Sequence, residues 1–360
     1  MKKINIILTI MILLAVATAF AQTVSNVTSE QVGKAIHVSY ELDKQADITL
    51  FVSTDGGNTY TQLYRVSGDV GKNVSAGHKT IVWDVLAERE KLKGDDIVFK
   101  VKAEGHYDLT FTVNGVTFKM IYVQGGSFTM GECKIKKMKR SRGYRNLAHN
   151  VTLSDFYIGE TEVTQELWKA VMGNTLYWGD GKGNDIPAYN MSWYKGQEFV
   201  RKLNDLTGET FRFPTEAEWE YAARGGNQSQ GFAYSGSDSP DDVSWHWGNS
   251  GDYYLKGKWN YDKLKNNHGR PHSVKTKQPN ELGIYDMSGN VQEWCEDWYG
   301  NYNFSERVNP KGPTSGSRKV VRGGCWEHDA DWGLVEHRFG WNSPEYGNDN
   351  VGFRLVLIRH

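Results

Sequence analysis

Residues 211–226 read FRFPTEAEWEYAARGG, and residues 280–294 read NELGIYDMSGNVQEW. The first stretch predicts a helix, because Thr215 and Glu218 have the spacing of a capping box and Pro214 precedes them. The second stretch lies where Gly, Asn, Ser, Asp and Trp dominate and regular hydrophobic periodicity is scarce. Together the two stretches predict a domain in which a few well-capped helices stand among much irregular backbone.

The composition narrows the class of protein. The 360 residues include 13 Trp, 39 Gly and 3 Cys, and 42 Lys and Arg balance 43 Asp and Glu. A coiled coil would be poorer in Gly and Trp, a disordered chain would lack the aromatic residues, and a disulfide-stapled small fold would need more cysteines. The net charge of −1 gives no general attraction to nucleic acid, so no nucleic-acid partner is expected. We expect a globular chain that is long enough for two domains.

Residues 1–21 are predicted to be a signal peptide. Two lysines precede an apolar run over residues 4–20, and Ala19 and Ala21 have the small-x-small spacing of a cleavage site. The mature chain is therefore expected to be exported to the periplasm, the cell surface or the medium. No later segment has the roughly 18 apolar residues of a spanning helix, so no transmembrane segment is expected in the mature chain.

Residues 22–105 are predicted to form an all-β sandwich of the immunoglobulin or fibronectin type. Apolar residues alternate along residues 36–40 and 48–52, and the pattern continues at 80–83 and 97–101. Five or more short strands in about 80 residues, without a convincing helix, are typical of such sandwiches. We expect this segment to be a spacer or adhesion module.

Residues 106–360 are predicted to form a second, mixed α/β domain, so the whole chain is α+β in class. Asn114 and Gly115 stand between two apolar segments and predict a β-hairpin. Ser192 is placed to cap a helix that runs through Leu203.

Seven motifs in this domain occur in the order and at the spacings of a known family. They are GGSFTMG at 125–131, FYIGETEVT at 156–164, the two stretches quoted first, NPKGP at 309–313, VRGG at 321–324 and VGFR at 351–354. Over residues 117–358 the chain resembles the formylglycine-generating enzyme, or sulfatase-modifying factor, family. The resemblance implies a compact mixed α/β fold with little regular structure, related to C-type lectins.

The family's enzymes oxidise a cysteine of a sulfatase to formylglycine with two cysteines that bind copper(I), an ion that prefers soft thiolates. The resemblance places those cysteines at positions that here hold His328 and Gly333. Cys325 stands one residue after the preceding glycine pair, and Gln292 replaces a family tryptophan. We therefore carry over the fold but not the oxidase, and no copper cofactor is expected.

The resemblance also implies a structural calcium site within residues 286–293. Its ligands would be the side chains of Asp286 and Glu293 and the backbone carbonyls of Gly289 and Val291. Calcium takes six to eight oxygen ligands and combines carboxylates with carbonyls from a turning backbone. The residue types agree with this role, and calcium is the predicted cofactor.

Two groups of side chains leave alternatives open. Cys133, Cys295 and Cys325 are an odd number of thiols, so at least one is unpaired or pairs between chains, and the sequence does not decide whether Cys295 bonds to Cys325. His328 and His337 stand among acidic residues and could bind zinc or iron, although a polar loop lining a cleft is the simpler interpretation.

We predict an exported, non-catalytic module, stabilised by calcium, that binds a protein, peptide or glycan or serves an envelope assembly. The oligomeric state stays open. One alternative is a copper-dependent formylglycine-generating oxidase with a rearranged cysteine set that uses Cys325, with Cys295 as a second candidate. The other alternative is a metal-dependent oxidase around His328 and His337.

Overall fold

The computed structural model describes residues 24–88, 92, 96–105, 107–131, 148–176, 179, 181–305, 307–340 and 343–358. The predicted signal peptide and Cys133 lie outside these residues. The chain divides into two compact units at the boundary between Tyr107 and Asp108. They are called here the N-terminal unit and the C-terminal unit.

The N-terminal unit consists of short strands and one helical turn. The elements are β1 (Val24–Val32), β2 (Ala35–Leu42), β3 (Ala46–Ser53), β4 (Thr61–Gln62), β5 (Val66–Gly68), β6 (Gly71–Val74), β7 (Gly77–Asp84), α1 (Val85–Glu88) and β8 (Val98–Gly105). The four strands predicted from alternation are confirmed as β2, β3, β7 and β8.

Two antiparallel sheets share the core of the N-terminal unit. One sheet has the order β1-β2-β7-β5, and in the other β3 pairs with β8 and with the short strands β4 and β6. Tyr40 and Trp83 of the first sheet and Leu50 of the second are fully buried in one apolar cluster. Two sheets around one core agree with a sandwich, while its assignment to the immunoglobulin or fibronectin type stays a prediction.

The C-terminal unit mixes many short strands with short helices. Its strands are β9 (Leu109–Val113), β10 (Val116–Val123), β11 (Gly126–Met130), β12 (His149–Leu153), β13 (Phe156–Gly159), β14 (Phe211–Arg212), β15 (Ser244–Trp245), β16 (Ser288–Gly289), β17 (Gln292–Trp298), β18 (Lys319–Arg322), β19 (Arg338–Phe339), β20 (Val351–Gly352) and β21 (Val356–Leu357). Its helices are α2 (Gln165–Met172), α3 (Trp193–Thr207), α4 (Glu216–Ala223), α5 (Pro240–Val243) and α6 (Tyr261–Asn266), with 3-10 turns at Gly226–Gln228 and Ala330–Gly333.

A five-stranded antiparallel sheet with the order β14-β21-β13-β10-β9 begins with the predicted hairpin. Strands β9 and β10 pair directly on either side of Asn114 and Gly115, whose φ angles are 48° and 85°. Positive φ at both central residues is the geometry of a tight hairpin turn that Asn-Gly favours. The hairpin prediction is confirmed.

Both predicted helices begin at the predicted caps. The hydroxyl of Ser192 accepts a hydrogen bond from the Lys195 N–H at 3.1 Å at the start of α3. Thr215 and Glu218 form the reciprocal capping box of α4. Helix α2, which the sequence analysis did not single out, is capped in the same way by Thr164.

Helix α4 lies in the centre of the C-terminal unit. All eight of its residues are buried, and Trp219 and Ala222 pack in the same apolar cluster as Cys295 of β17 and Val320 of β18. Strands β17 and β18 belong to a four-stranded sheet with the order β19-β18-β17-β20. Within the described part of the chain, no helix combines the length and the hydropathy needed to cross a bilayer.

Candidate functional site

Two glycines turn the loop that follows β18. Gly323 and Gly324 have φ angles of 94° and 69°, and a Cβ on Gly324 would lie 2.7 Å from the backbone of Trp332. A side chain there would be strained and would clash, so glycine allows the two ends of this loop to approach each other. The turn sets the position of Cys325 and of the residues that follow it.

Cys325, Glu327 and His328 come together directly after this turn. The backbone N–H of His328 donates to the carbonyl of Cys325 at 3.0 Å, and one possible ligand atom from each of the three side chains lies within 4.8 Å of the other two. The backbone is anchored on both sides. Trp259 Nε1 donates to the carbonyl of Glu327 at 2.6 Å, and the Trp247 N–H donates to the carbonyl of His328 at 2.7 Å.

Burial disfavours charge on this cluster. The pKa of the Cys325 thiol is raised well above its ordinary value by burial and then by the negative charge of Glu327. Burial lowers the pKa of His328 to about 4. A protonated thiol beside a neutral imidazole is not the thiolate–imidazolium pair of an activated cysteine nucleophile. Burial therefore disfavours an activated cysteine nucleophile at Cys325.

His337 lies near the cluster without belonging to it. Its ring stacks on Phe339 with centroids 4.3 Å apart, and Trp332 contacts both Phe339 and His328. The Nδ1 of His337 is 3.2 Å from the carbonyl of Asp331. Among the described residues, the three-ligand cluster does not include His337. The structure thus connects the two predicted histidines through an aromatic stack, not at a shared ligand position.

The two described cysteines are not bonded to each other. Cys295 and Cys325 are both free and buried. Cys295 lies in β17 within the main apolar core, and its thiol pKa is raised by burial and then by Asp297. The sequence did not decide whether Cys295 bonds to Cys325, and the structure shows that these two residues form no disulfide.

All four predicted calcium ligands lie on buried backbone. Asp286 is 3% exposed, has a φ of 59°, and accepts a backbone N–H at 2.9 Å on Oδ2. Gly289 has a φ of 80° and is buried in β16, and Val291 and Glu293 are fully buried. The segment thus makes the kind of turn from which carbonyl ligands are supplied.

The side chain of Glu293 is already held by protein donors. Arg354 donates to Oε1 from Nη2 at 2.6 Å and to Oε2 from Nε at 2.7 Å. Trp219 Nε1 also donates to Oε2 at 2.7 Å. This bidentate pair was not anticipated from the sequence, and a ligand role for Glu293 would use its remaining lone pairs. That role stays a prediction.

Glu162 adds a buried carboxylate that the sequence analysis did not identify. It is 1% exposed, and neither of its oxygens has a hydrogen-bond partner. Its pKa is raised well above the ordinary value by burial and then by Asp286, whose own pKa is raised to about 6, chiefly by burial. The charge of Arg354 thus interacts with three buried carboxylates, those of Glu162, Asp286 and Glu293. A hard divalent cation would balance this charge, so the residues present fit calcium.

Ion pairs also surround helix α4. Glu216 pairs with Arg338, Glu218 with Arg212, and Glu220 with both Arg224 and Arg322. The pairs of Arg322 and Arg338 were not anticipated from the sequence, because these arginines lie 102 and 122 residues from Glu220 and Glu216. No local pattern could reveal these two long-range contacts.

The C-terminal unit is a domain of the formylglycine-generating type. The sequence matches the Sulfatase-modifying factor enzyme 1-like domain family over residues 111–358, and the chain belongs to this family. The predicted family resemblance is confirmed.

Three relatives illustrate the range of proteins to which the chain is similar. Chaperone protein LppX of Paenibacillus barcinonensis is 35% identical over 274 residues, which cover 67% of this chain and 90% of that protein. The formylglycine-generating enzyme of Streptomyces coelicolor is 31% identical over 210 residues, 52% of this chain and 60% of that enzyme. The solved structure of Treponema denticola variable protein 1 has a TM-score of 0.58 at 30% identity and covers 70% of this chain and 99% of that one.

The donor set does not fit the copper(I) pair that the resemblance implies. His328 and Gly333 occupy the two positions, and Cys325 supplies the single thiol of the described cluster. A carboxylate and an imidazole complete the set. Copper(I) prefers soft sulfur ligands, so this set suits a harder ion better.

Proposed function

We propose that this chain is an exported, non-catalytic binding module that keeps the family fold and is stabilised by calcium. The observation that carries the proposal is that the two described thiols, Cys295 and Cys325, belong to different side-chain clusters. Cys295 is part of the apolar core, while Cys325 shares its cluster with Glu327 and His328. An oxidase with a rearranged cysteine set would need both sulfurs on one copper ion, and this arrangement does not favour it.

Export rests on the sequence of residues 1–21. The protein recovered outside the cytoplasm would have an intact mass that lacks these residues. Recovery of the full-length mass would contradict this part of the proposal.

A protein or peptide is the ligand class that we favour. The relative LppX carries the name of a chaperone, and the alignment covers 90% of its length. A chaperone acts by binding another polypeptide, so the likeness supports a binding role for this domain. A glycan is the alternative ligand, and an envelope assembly is the alternative setting.

The wild-type protein is expected to leave a Cys-x-Pro-x-Arg peptide unchanged when copper(I) and oxygen are supplied. Mass spectrometry of the peptide would show no conversion of its thiol to an aldehyde, with a formylglycine-generating enzyme as the positive control. Aldehyde formation by the wild-type chain would overturn the non-catalytic assignment.

A double variant tests whether the family's cysteine positions have been assigned correctly. A Cβ on Gly333 would meet its nearest neighbour at 3.4 Å, an ordinary contact, so His328→Cys with Gly333→Cys places two thiols where the family has them. The double variant is expected to bind copper(I) more tightly than wild type in a competition assay. Equal binding by the two proteins would mean that the cysteine positions were wrongly carried over.

Removal of calcium is expected to lower the melting temperature of the wild-type protein. A cation that binds only the folded state stabilises it by about 2.7 kcal/mol at 100 times its dissociation constant. Thermal unfolding of the protein freed of divalent ions would be followed by circular dichroism, and addition of calcium should raise the midpoint both without zinc and with saturating zinc. An unchanged midpoint after chelation would remove the calcium site.

Glu162→Gln is the sharper variant for this test. It keeps the shape of the side chain and removes one of the three buried carboxylates, so it should abolish most of the calcium response. Glu293→Ala is less suitable, because it also leaves the buried Arg354 without its partner. Asp252→Asn, which changes an exposed acid, is the control and should respond to calcium like wild type.

A further inference from the structure

Cys325, Glu327 and His328 form a cluster that includes one of the two positions, His328, at which the family has a cysteine. The glycine turn and the 3.0 Å hydrogen bond from the His328 N–H to the Cys325 carbonyl bring three different side chains to one point. A ligand-type atom of each lies within 4.8 Å of the others. Cys325 is 1% exposed, whereas Glu327 and His328 are only partly buried, which leaves an approach for an ion.

The surroundings hold these side chains in place and leave polar atoms unsatisfied. The ring of His328 packs on Trp332 with centroids 4.5 Å apart, and its Nδ1 is buried without a hydrogen-bond partner. Asn350, which is 5% exposed, donates from Nδ2 to Oε1 of Glu327, and its own Oδ1 is buried without a partner. Buried polar atoms without partners are rare in folded proteins and indicate a missing ligand or water.

We propose that Cys325, Glu327 and His328 bind one zinc ion, with Asn350 orienting the carboxylate. Zinc accepts thiolate sulfur, imidazole nitrogen and carboxylate oxygen in one tetrahedral site. Three protein ligands leave the fourth position for water or another oxygen donor. Calcium and magnesium do not take thiolate ligands, and copper(I) disfavours the carboxylate.

Zinc also resolves the charge balance of the cluster. The ion binds after the Cys325 thiol and the Glu327 carboxyl each release a proton, and its two positive charges neutralise the thiolate and the carboxylate. The three side chains of this cluster are not among the predicted calcium ligands, all of which would bind through oxygen atoms.

Cobalt(II) is the probe that reports the thiolate directly, because cobalt substitutes for zinc and a cobalt–thiolate bond gives a near-ultraviolet charge-transfer band. Protein that has been freed of zinc and other transition metals, and then saturated with calcium, would be titrated with cobalt. We expect one equivalent of cobalt to produce the band and one equivalent of zinc to remove it. Absence of the band in the wild-type protein would overturn the proposal without any variant.

Variants assign the ligands. Cys325→Ser should abolish the charge-transfer band, and His328→Ala should weaken metal binding. Cys295→Ala changes the other described buried thiol, and it should leave the band and the metal affinity unchanged. Asn350→Ala should weaken zinc binding about 10- to 100-fold, because it removes the hydrogen bond that orients Glu327. Each variant is first shown to be folded by circular dichroism. A band that persists in folded Cys325→Ser, or that is lost in Cys295→Ala, would assign the thiolate elsewhere and contradict the site.

Discussion

Replacement of Arg354 with methionine is expected to destabilise the C-terminal unit by about 3–5 kcal/mol, the usual result of removing one partner from a buried ion pair. Arg354 is fully buried and binds both carboxylate oxygens of Glu293, and it also donates to the carbonyls of Gly159 and Tyr285 at 3.0 Å. Methionine fills much of the space but leaves three buried carboxylates without this cation. Denaturant unfolding of the two proteins measures the difference in the free energy of unfolding.

Arg270→Met is the matched control for this prediction. Arg270 also pairs with an acidic residue, Asp252, but both side chains are largely exposed, at 40% and 51%. Water screens such pairs, so the control should change the free energy of unfolding little. Equal losses in the two variants would show that the Arg354 pair contributes no more than a surface contact.

Glu220→Ala is expected to have a comparable effect, about 3–5 kcal/mol, because it leaves two buried guanidinium groups without their shared carboxylate. Glu220 is fully buried. It accepts hydrogen bonds from Arg224 and Arg322 and from the N–H of Gly131 at 2.8 Å. The free energy of unfolding again gives the measurement, and the loss should appear as a lower midpoint with an unchanged denaturant slope.

Glu198→Ala provides the comparison on an exposed helix face. Glu198 lies in α3 and also pairs with two cations, Lys195 at 2.7 Å and Lys202 at 3.5 Å. These side chains are about one-third or more exposed, so only a small change is expected. A large loss at Glu198, or a small one at Glu220, would contradict the importance assigned to the buried network.

Local signals in the sequence account for the parts of the fold that were predicted. The hairpin at Asn114 and the caps at Ser192 and Thr215 depend on residues within four positions of one another, and the structure has all three. Alternation predicted strands of the N-terminal unit for the same reason. The motifs predicted the family, which the match over residues 111–358 confirms.

Long-range contacts account for what was missed. Glu216 and Glu220 are charged residues in a helix, and charged residues usually face water. They are buried because arginines from β18 and β19 reach them across the core. Glu162 is similar, since its burial depends on packing that the motif at 156–164 does not specify.

The loop after β18 was predicted only in part. The family resemblance implied that His328 occupies a cysteine position, and the simpler prediction was a polar loop lining a cleft. The structure brings Cys325, Glu327 and His328 together because Gly323 and Gly324 adopt positive φ angles. Glu327 and His328 lie two and three residues after Cys325, and such spacings in a loop do not predict that the side chains meet. Their proximity depends on the turn at Gly323 and Gly324, which only the structure shows.

Helix α4 has a consequence for the order in which the C-terminal unit can fold. Its carboxylates are synthesised more than 100 residues before Arg322 and Arg338. Until those arginines arrive, Glu218 and Glu220 have the nearby Arg212 and Arg224, but burial of the helix would leave Glu216 without a cationic partner, which is unfavourable. We therefore expect the end of the helix that carries Glu216 to be buried only after most of the domain has been made.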